Sequence, residues 1–393
     1  METLRFLFTS SFYPPYHIGG DAVHVKYLAE ELAKIGHEVH VLHSLDAYRL
    51  KRKNTPKDVE YCGVHTHPIQ TPFKSSSYLA YFFGGSSSVT RKFKSLVKEI
   101  KPDVVHHHNI SLLGYKILEK QNEYTNLYTA HDYWLNCQQN NLLRNGSDIC
   151  TKSSCFLCSL RCAKPPQVWR HSMGFKKALN EIDCIIAPSD YLRNKIAHRV
   201  CSRIVTIPNF TPRPPTNIGP SGFSNFFLYV GVLENHKGIS SLVSLYAESK
   251  LDAKLIIVGQ GSLTNKIKAF VKKFDLEDKI FLLGWAQHDI LYPLLNDANA
   301  LIVPSICPEN NPLIILEALS VGTPVIASKK GGIPEIIEKV NGRLIFSDLE
   351  RLKNILSDFS KSDFSSEKIK CVYEQNFSPN AFIRNYFEII RGV

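Results

Sequence analysis

Apolar residues along this chain come in short blocks, and the blocks alternate between two periods. Compact apolar or alternating stretches at Leu4–Thr9, His37–His43, Val104–His106, Leu127–Ala130, Cys184–Ala187 and Ile204–Ile207 predict strands, each followed by a loop or a helical stretch. Between the first two, Val25, Leu28, Ala29, Leu32 and Ala33 recur at helical spacing and predict a helix from Asp21 to Ile35, stopped by Gly36. Apolar strands joined by helical crossovers are the pattern of a parallel sheet covered on both faces. The expected fold class is therefore α/β.

The periodicity lapses once. Residues 209–225, NFTPRPPTNIGPSGFSN, hold four prolines and two glycines and read as a linker. The alternation then resumes, with strands at Phe226–Val230, Lys254–Val258, Ile280–Leu283, Leu301–Val303 and Val325–Ala327. Helices are expected at Ile239–Glu248, Leu263–Phe274, His288–Asn296 and from Pro312 to just before Gly322, with Asn311 as the N-cap of the last. A final helix at Pro379–Ile390 places Phe382, Ile383, Tyr386 and Phe387 on its apolar side. The pattern predicts a first domain over 1–208, a second over 226–375, and a terminal segment over 376–393.

At 393 residues and 44% hydrophobic content there is enough chain for two sizeable cores. No run reaches the roughly 18 apolar residues of a membrane span. The opening METLRFLFTSSFYPP has an acidic second residue and breaks at Pro14, unlike a signal peptide, so a cytoplasmic protein is expected. The net charge of +11 is unaccompanied by any nucleic-acid-binding motif, so no nucleic-acid partner is expected. Tyr78, Leu79, Tyr81, Phe82 and Phe83 beside Arg91, Lys92, Lys94 and Lys98 make an anionic membrane surface a candidate partner, with the protein peripheral to it.

The candidate chemistry gathers around Leu301–Phe346. Glu309 precedes the helix and Glu317 lies under two turns inside it, leaning back toward its start. Both carboxylates can then face a ligand at the helix mouth, where Leu313 and Ile314 offer backbone N–H groups to phosphate. Carboxylates accept sugar hydroxyls, and phosphate takes amides and lysine; a nucleotide sugar needs both. Gly19-Gly20, at the mouth of the first helix, lets a backbone approach a phosphate closely.

The ordered string Glu309-x7-Glu317, Glu317-Ala318-Leu319, Gly322-Thr323-Pro324-Val325-Ile326-Ala327 and Gly331-Gly332 resembles the retaining glycosyltransferases of family 4, in the glycogen-synthase-like group. The resemblance implies the GT-B fold: two doubly wound Rossmann-like domains facing a cleft, the last helix crossing back to the first domain. It implies transfer of a sugar from a nucleoside diphosphate sugar to a glycan or lipid-linked acceptor, with retention and no catalytic metal. Carried onto this chain, Glu317 meets the ribose diol and Glu309 the donor-sugar hydroxyls. Lys237 and the helix mouth (Asn310, Asn311, Pro312, Leu313, Ile314) meet the diphosphate, joined by Gly19 and Gly20, while Gly259 and Gly261 lie beside the nucleoside and Gly284 and Trp285 near the base. His131, at the end of the Leu127–Ala130 strand, takes the place of a histidine beside the reacting carbon.

One position departs from the family. Where an arginine is expected after the first strand of the second domain the chain has Val232, and Lys237 stands five residues on. A valine cannot clamp a pyrophosphate. Arg193 or Lys329 is a candidate substitute. Two other readings remain open: an epimerase or phosphorylase on the same fold, and a catalytically silent nucleotide-sugar-binding or scaffold protein.

Five of the ten cysteines fall within residues 137–162, an expected insertion in the first domain. Cys150, Cys155, Cys158 and Cys162 have the makings of a four-thiolate structural metal site, with Cys137 as an alternative ligand. Zinc is the expected ion and an iron–sulfur cluster the second choice, with free thiols or disulfides as the alternative to any metal. His106, His107 and His108 are consecutive, so strand alternation keeps them from converging on one ion.

Overall fold

The computed structural model describes residues 2–52, 56, 62–144, 148–150 and 154–392. The chain divides into two compact units, Met1–Pro208 with Ile383–Val393, and Asn209–Phe382.

The first unit is built on a seven-stranded parallel sheet. Its strands are β1 (Arg5–Ser10), β2 (Glu38–Ser44), β3 (Val64–Ile69), β4 (Val104–His107), β5 (Thr125–Thr129), β8 (Cys184–Ala187) and β9 (Arg203–Thr206), while β6 (Leu143–Arg144) and β7 (Asp148–Ile149) form a separate antiparallel pair. The order across the sheet is β3-β2-β1-β4-β5-β8-β9. Phe6, Leu7, Phe8, Val39, Val41, Val105, Leu127 and Ile185 are all fully buried, which is why these strands read as apolar blocks. The edge strand β3, VHTHPI, was not expected; at an edge, Pro68 costs no ladder bond on its outer side. The helix Gly20–Lys34 buries Val25, Leu28, Ala29 and Leu32 against the sheet.

The helix Ser87–Ile100 buries Val89, Phe93, Leu96, Val97 and Ile100, so its lysines and arginine form an ordinary solvated face. Phe73, Tyr78, Phe82 and Phe83, by contrast, are exposed. No helix among the described residues is long and apolar enough to cross a membrane. The helix Pro379–Arg391 adds a buried Tyr386 to the first unit, its hydroxyl 2.8 Å from Nδ1 of His106.

The second unit carries a six-stranded parallel sheet of β10 (Phe226–Val230), β11 (Lys254–Val258), β12 (Ile280–Gly284), β13 (Leu301–Val303), β14 (Val325–Ser328) and β15 (Ile345–Phe346), in the order β12-β11-β10-β13-β14-β15. Residues 209–225 pack with it: Asn209 Nδ2 donates to the Asn311 carbonyl at 3.0 Å, and the Tyr373 hydroxyl donates to the Thr211 carbonyl at 2.7 Å.

Both sheets are doubly wound. In the first, β1 lies between β2 and β4; in the second, β10 lies between β11 and β13. The chain leaves these central strands in opposite directions, so their carboxyl ends open a crevice where ligands of such sheets bind.

Candidate active site

The loops at the second sheet's switch point carry Lys237 and Glu309. Lys237 lies in the short turn Asn235–Lys237 after β10, and Glu309 in the loop after β13. Ile306 and Cys307 both donate backbone N–H groups to the His236 carbonyl, at 2.9 and 3.2 Å, so the two loops are laced together. That lacing brings Lys237 Nζ within 2.5 Å of Glu309 Oε1, and Ser305 Oγ donates to the same oxygen at 2.8 Å. Burial alone would push the Glu309 carboxyl up, but the Lys237 ammonium and the two hydrogen bonds outweigh it and hold the carboxyl below its usual range. Burial likewise works against the Lys237 charge, and Glu309 more than restores it. The pair is therefore ionised at neutral pH.

Glycine makes this loop possible. Gly331 has φ +64°, and a Cβ there would overlap the Glu309 backbone, while Gly332 N–H donates to the Glu309 carbonyl at 2.7 Å. Ser328 Oγ donates to the Ser305 carbonyl at 2.7 Å, tying the loop to the end of β14.

The helix that follows, Leu313–Ser320, starts one residue later than the sequence suggests. Pro312 itself occupies the N-cap and no side chain caps the turn, so Asn311 is not the cap. Asn310 and Asn311 are both buried beside it. Leu313 and Ile314 are its first two residues, and their amides receive no side-chain cap. Glu317 is buried, with Oε1 3.5 Å from His288 Nε2, a residue that sequence reasoning missed. The unit thus presents a lysine–carboxylate pair, an uncapped helix start and a second carboxylate along one stretch of chain.

Gly259 and Gly261 follow β11. Gly259 N–H donates to the Gly284 carbonyl at 2.7 Å, and Gly261 N–H donates to Thr264 Oγ1 at 3.0 Å. Trp285 and Val232 are exposed, at 67% and 47%. Of the two substitute cations considered, Arg193 pairs with Asp190 at 3.0 Å in the first unit, and Lys329 is exposed. A cavity of about 650 Å³ lined by Arg213, Asn296, Ser320, Lys370 and Glu374 contains none of these residues.

In the first unit, Gly19 and Gly20 open the helix after β1, with Gly19 at φ +91°. Next to them, Asp21 accepts from Asn109 Nδ2 at 2.7 Å, which draws the loop after β4 to the helix mouth. His131 stands beyond β5, its Nε2 3.0 Å from His108 Nδ1 and its ring 5.3 Å from that of His24. Burial lowers its pKa to about 4, only partly offset by Asp21, so the imidazole is neutral at pH 7. It can hydrogen-bond a hydroxyl but carries no charge. The adjacent Asp132 is pushed up to about 7 by burial, against the pull of the Trp134 N–H that it accepts at 2.8 Å. Asp21, Asn109 and His108 were missed by sequence reasoning, although Asp21 directly follows the diglycine.

The histidine run behaves as strand alternation requires. His106 and His108 share a face, ring centroids 4.0 Å apart, while His107 turns away to Thr9 Oγ1 at 2.7 Å.

In the cysteine-rich segment, residues 145–147 and 151–153 lie outside the described residues. Cys137, Cys150, Cys155 and Cys158 line one cavity of about 20 Å³, whereas Cys162 is absent from its lining. Among the described residues no group of three or more His, Cys, Asp or Glu side chains already stands in position to hold a metal ion.

Two family models match the chain: one described as Glycosyltransferase Family 4 over residues 18–212, and one described as Glycosyl transferases group 1 over residues 217–372. An uncharacterized glycosyltransferase of Methanocaldococcus jannaschii is 28% identical over 88% of this chain and 84% of its own length. Among solved structures, sucrose-phosphate synthase from Thermosynechococcus elongatus superposes with a TM-score of 0.73 at 21% identity, covering 99% of this chain and 98% of its own. HepE of Anabaena, solved in complex with UDP and glucose, superposes with a TM-score of 0.66 at 17% identity, covering 99% of this chain and all of its own.

Proposed function

The chain belongs to glycosyltransferase family 4 and has the GT-B fold, and from that premise we propose that it moves a hexose from a nucleoside diphosphate sugar to a glycan or lipid-linked acceptor, with retention of anomeric configuration. The observation that carries this reading is the Lys237–Glu309 pair at the second sheet's switch point, followed directly by the uncapped helix Leu313–Ser320 with Glu317 inside it. A bound diphosphate offers Lys237 a second anionic partner and the amides of Leu313 and Ile314 an acceptor. As the bond to the sugar breaks, charge grows on the leaving phosphate, where a preorganised ammonium and helix start act most strongly. Glu309 then takes donor-sugar hydroxyls, and Glu317 takes the ribose diol.

The neutral His131 supports a role as a hydrogen-bond partner of the sugar, without charge stabilisation. No side chain is required as the base: in the front-face reaction the leaving phosphate itself accepts the acceptor's proton. The chemistry proposed uses no catalytic metal, since Lys237 and the helix amides supply the positive potential.

A thermal-shift panel of UDP, GDP, ADP and their sugars on wild type and Glu317→Ala tests the site, with UDP the first candidate because HepE was solved with it. A ligand at a hundredfold its dissociation constant stabilises by about 2.7 kcal/mol. One nucleotide is expected to raise the melting temperature of the wild type and not of the variant. If none does so, the missing arginine at Val232 has removed donor binding, and the silent scaffold reading takes its place.

A further inference from the structure

The cysteine-rich segment has no part in the glycosyl transfer described above, yet four of its cysteines line one cavity. Cys137 ends the turn after Tyr133–Trp134; Cys150 follows β7; Cys155 and Cys158 lie one turn apart on the helix Cys155–Arg161. All four line the cavity of about 20 Å³, enough for a single ion or water. We propose that this cavity is a structural zinc site whose ligands are Cys137, Cys150, Cys155 and Cys158, with Cys162 outside the ligand set.

Three features of the surroundings favour a metal thiolate. The Gln139 N–H donates to Cys137 Sγ at 3.3 Å, inside a turn closed by Asn140 N–H to the Cys137 carbonyl at 3.1 Å and carrying Asn140 at φ +64°. An amide directed at sulfur two residues back stabilises negative charge on it. Arg144 acts electrostatically on Cys150, and Arg199 and Arg170 on Cys155, so cations surround what would be a doubly negative zinc tetrathiolate. The helix Cys155–Arg161 turns its apolar residues the other way: Phe156, Leu157 and Leu160 are more than half exposed, so apolar packing is not what holds it.

Zinc is bound by thiolates, so occupancy of this cavity would release the thiol protons to water. The four sulfurs are not yet at coordinating positions. A change of one χ1 rotamer moves a sulfur by roughly 3 Å, and zinc–sulfur bonds are ~2.3 Å long.

The site would also serve the active-site loop. Gln138, next to Cys137, accepts through Oε1 from Ser159 Oγ at 2.8 Å and from the Gln167 N–H at 3.0 Å. Arg170 donates to the Trp134 carbonyl and stacks over Trp134 at 4.8 Å. The loop that follows His131 and Asp132 is thereby fastened to the cysteine segment.

The test is the metal content, by plasma mass spectrometry, of full-length protein purified without added metal and without a nickel or zinc column. Wild type is expected to hold about one zinc per chain, Cys162→Ser the same, and Cys137→Ser almost none. Chelator treatment of the wild type should release that zinc and lower the melting temperature, and cobalt put in its place should show the ligand-field bands of a tetrahedral thiolate site. Zinc below about a tenth per chain, with no uptake from added zinc, overturns the proposal, as does iron in its place. Loss of zinc in Cys162→Ser with retention in Cys137→Ser overturns the ligand set. The wild-type measurement decides the matter even if a variant fails to fold.

Discussion

Removing the Lys237 ammonium tests the electrostatics of the site without any ligand. The perturbation is Lys237→Met, which keeps much of the side chain's length and bulk and leaves the Glu309 carboxylate with Ser305 as its remaining close donor. In the wild type the two charges are 2.5 Å apart, but the side chains are 26% and 17% exposed, so solvent screens part of the interaction. An exposed pair contributes about 0.2–1 kcal/mol, and breaking a fully buried one costs about 3–5 kcal/mol. This pair lies between the two, and the loss expected is about 2 kcal/mol. Urea unfolding of wild type, Lys237→Met, Glu309→Gln and the double variant measures it. The double variant should recover about 1 kcal/mol relative to the sum of the singles, because neither buried charge is then left alone.

The pH dependence gives the sign. In wild type the Glu309 carboxyl is held low, so its contribution is present above the unfolded pKa of about 4.3 and is lost as pH falls through the folded value. In Lys237→Met burial acts with little opposition and the carboxyl rises, so stability is lost as pH rises instead. The difference between the two proteins should therefore be largest near pH 7 and shrink toward about pH 4.5. A deficit under about 0.5 kcal/mol, or one that does not change with pH, would refute the electrostatic account of this pair.

The first unit should be acid-sensitive for a separate reason. Burial lowers His43 to about 4, with His67 adding to the fall, and lowers His107 to about 3; the unfolded chain takes up these protons near pH 6.5. Stability is intact above that value and falls on acidification by about 1.4 kcal/mol per histidine per pH unit, down to the folded pKa of each. Circular-dichroism denaturation between pH 7 and pH 4 should show this slope, and a His107→Gln variant should show it reduced; a flat profile would contradict it. Val232→Arg should restore the missing pyrophosphate contact, because the position is 47% exposed and lies two residues past the end of β10. A charge-assisted hydrogen bond of about 1.5 kcal/mol would tighten nucleoside diphosphate binding by roughly tenfold in calorimetry, and unchanged or weaker binding would separate this position from the phosphates.

The buried strands of both sheets were legible because a parallel sheet covered on both faces must be apolar along its whole width, as Leu228, Ile256, Ile302 and Ile326 are. The edge strand β3 escaped because its outer positions are released from that demand and tolerate His and Pro. Glu309 and Glu317 were singled out by the ordered string they belong to, not by their spacing alone, and the structure places them before and within the helix Leu313–Ser320. His288 could not be singled out: the helix it starts was legible, but its approach to Glu317 is a matter of how that helix packs in the fold. Asn311 looked like a cap by residue type, but its carbonyl is taken by Asn209, more than a hundred residues away. Among the cysteines, spacing offered Cys150, Cys155, Cys158 and Cys162 with Cys137 as an alternative, and the fold lines one cavity with Cys137 and the first three.

The most direct test of the central claim is the configuration of the first sugar released. Wild type would be incubated with whichever nucleotide sugar the thermal-shift panel identifies, without acceptor, and followed by proton NMR before mutarotation scrambles the anomers. A retaining glycosyltransferase should release nucleoside diphosphate and sugar in equal amounts, the sugar first appearing with the donor's own anomeric configuration. Glu309→Gln should slow both together. Release of the opposite anomer first would contradict the proposed retaining reaction, and a donor that binds but is never cleaved, with or without candidate acceptors, would contradict the transferase itself.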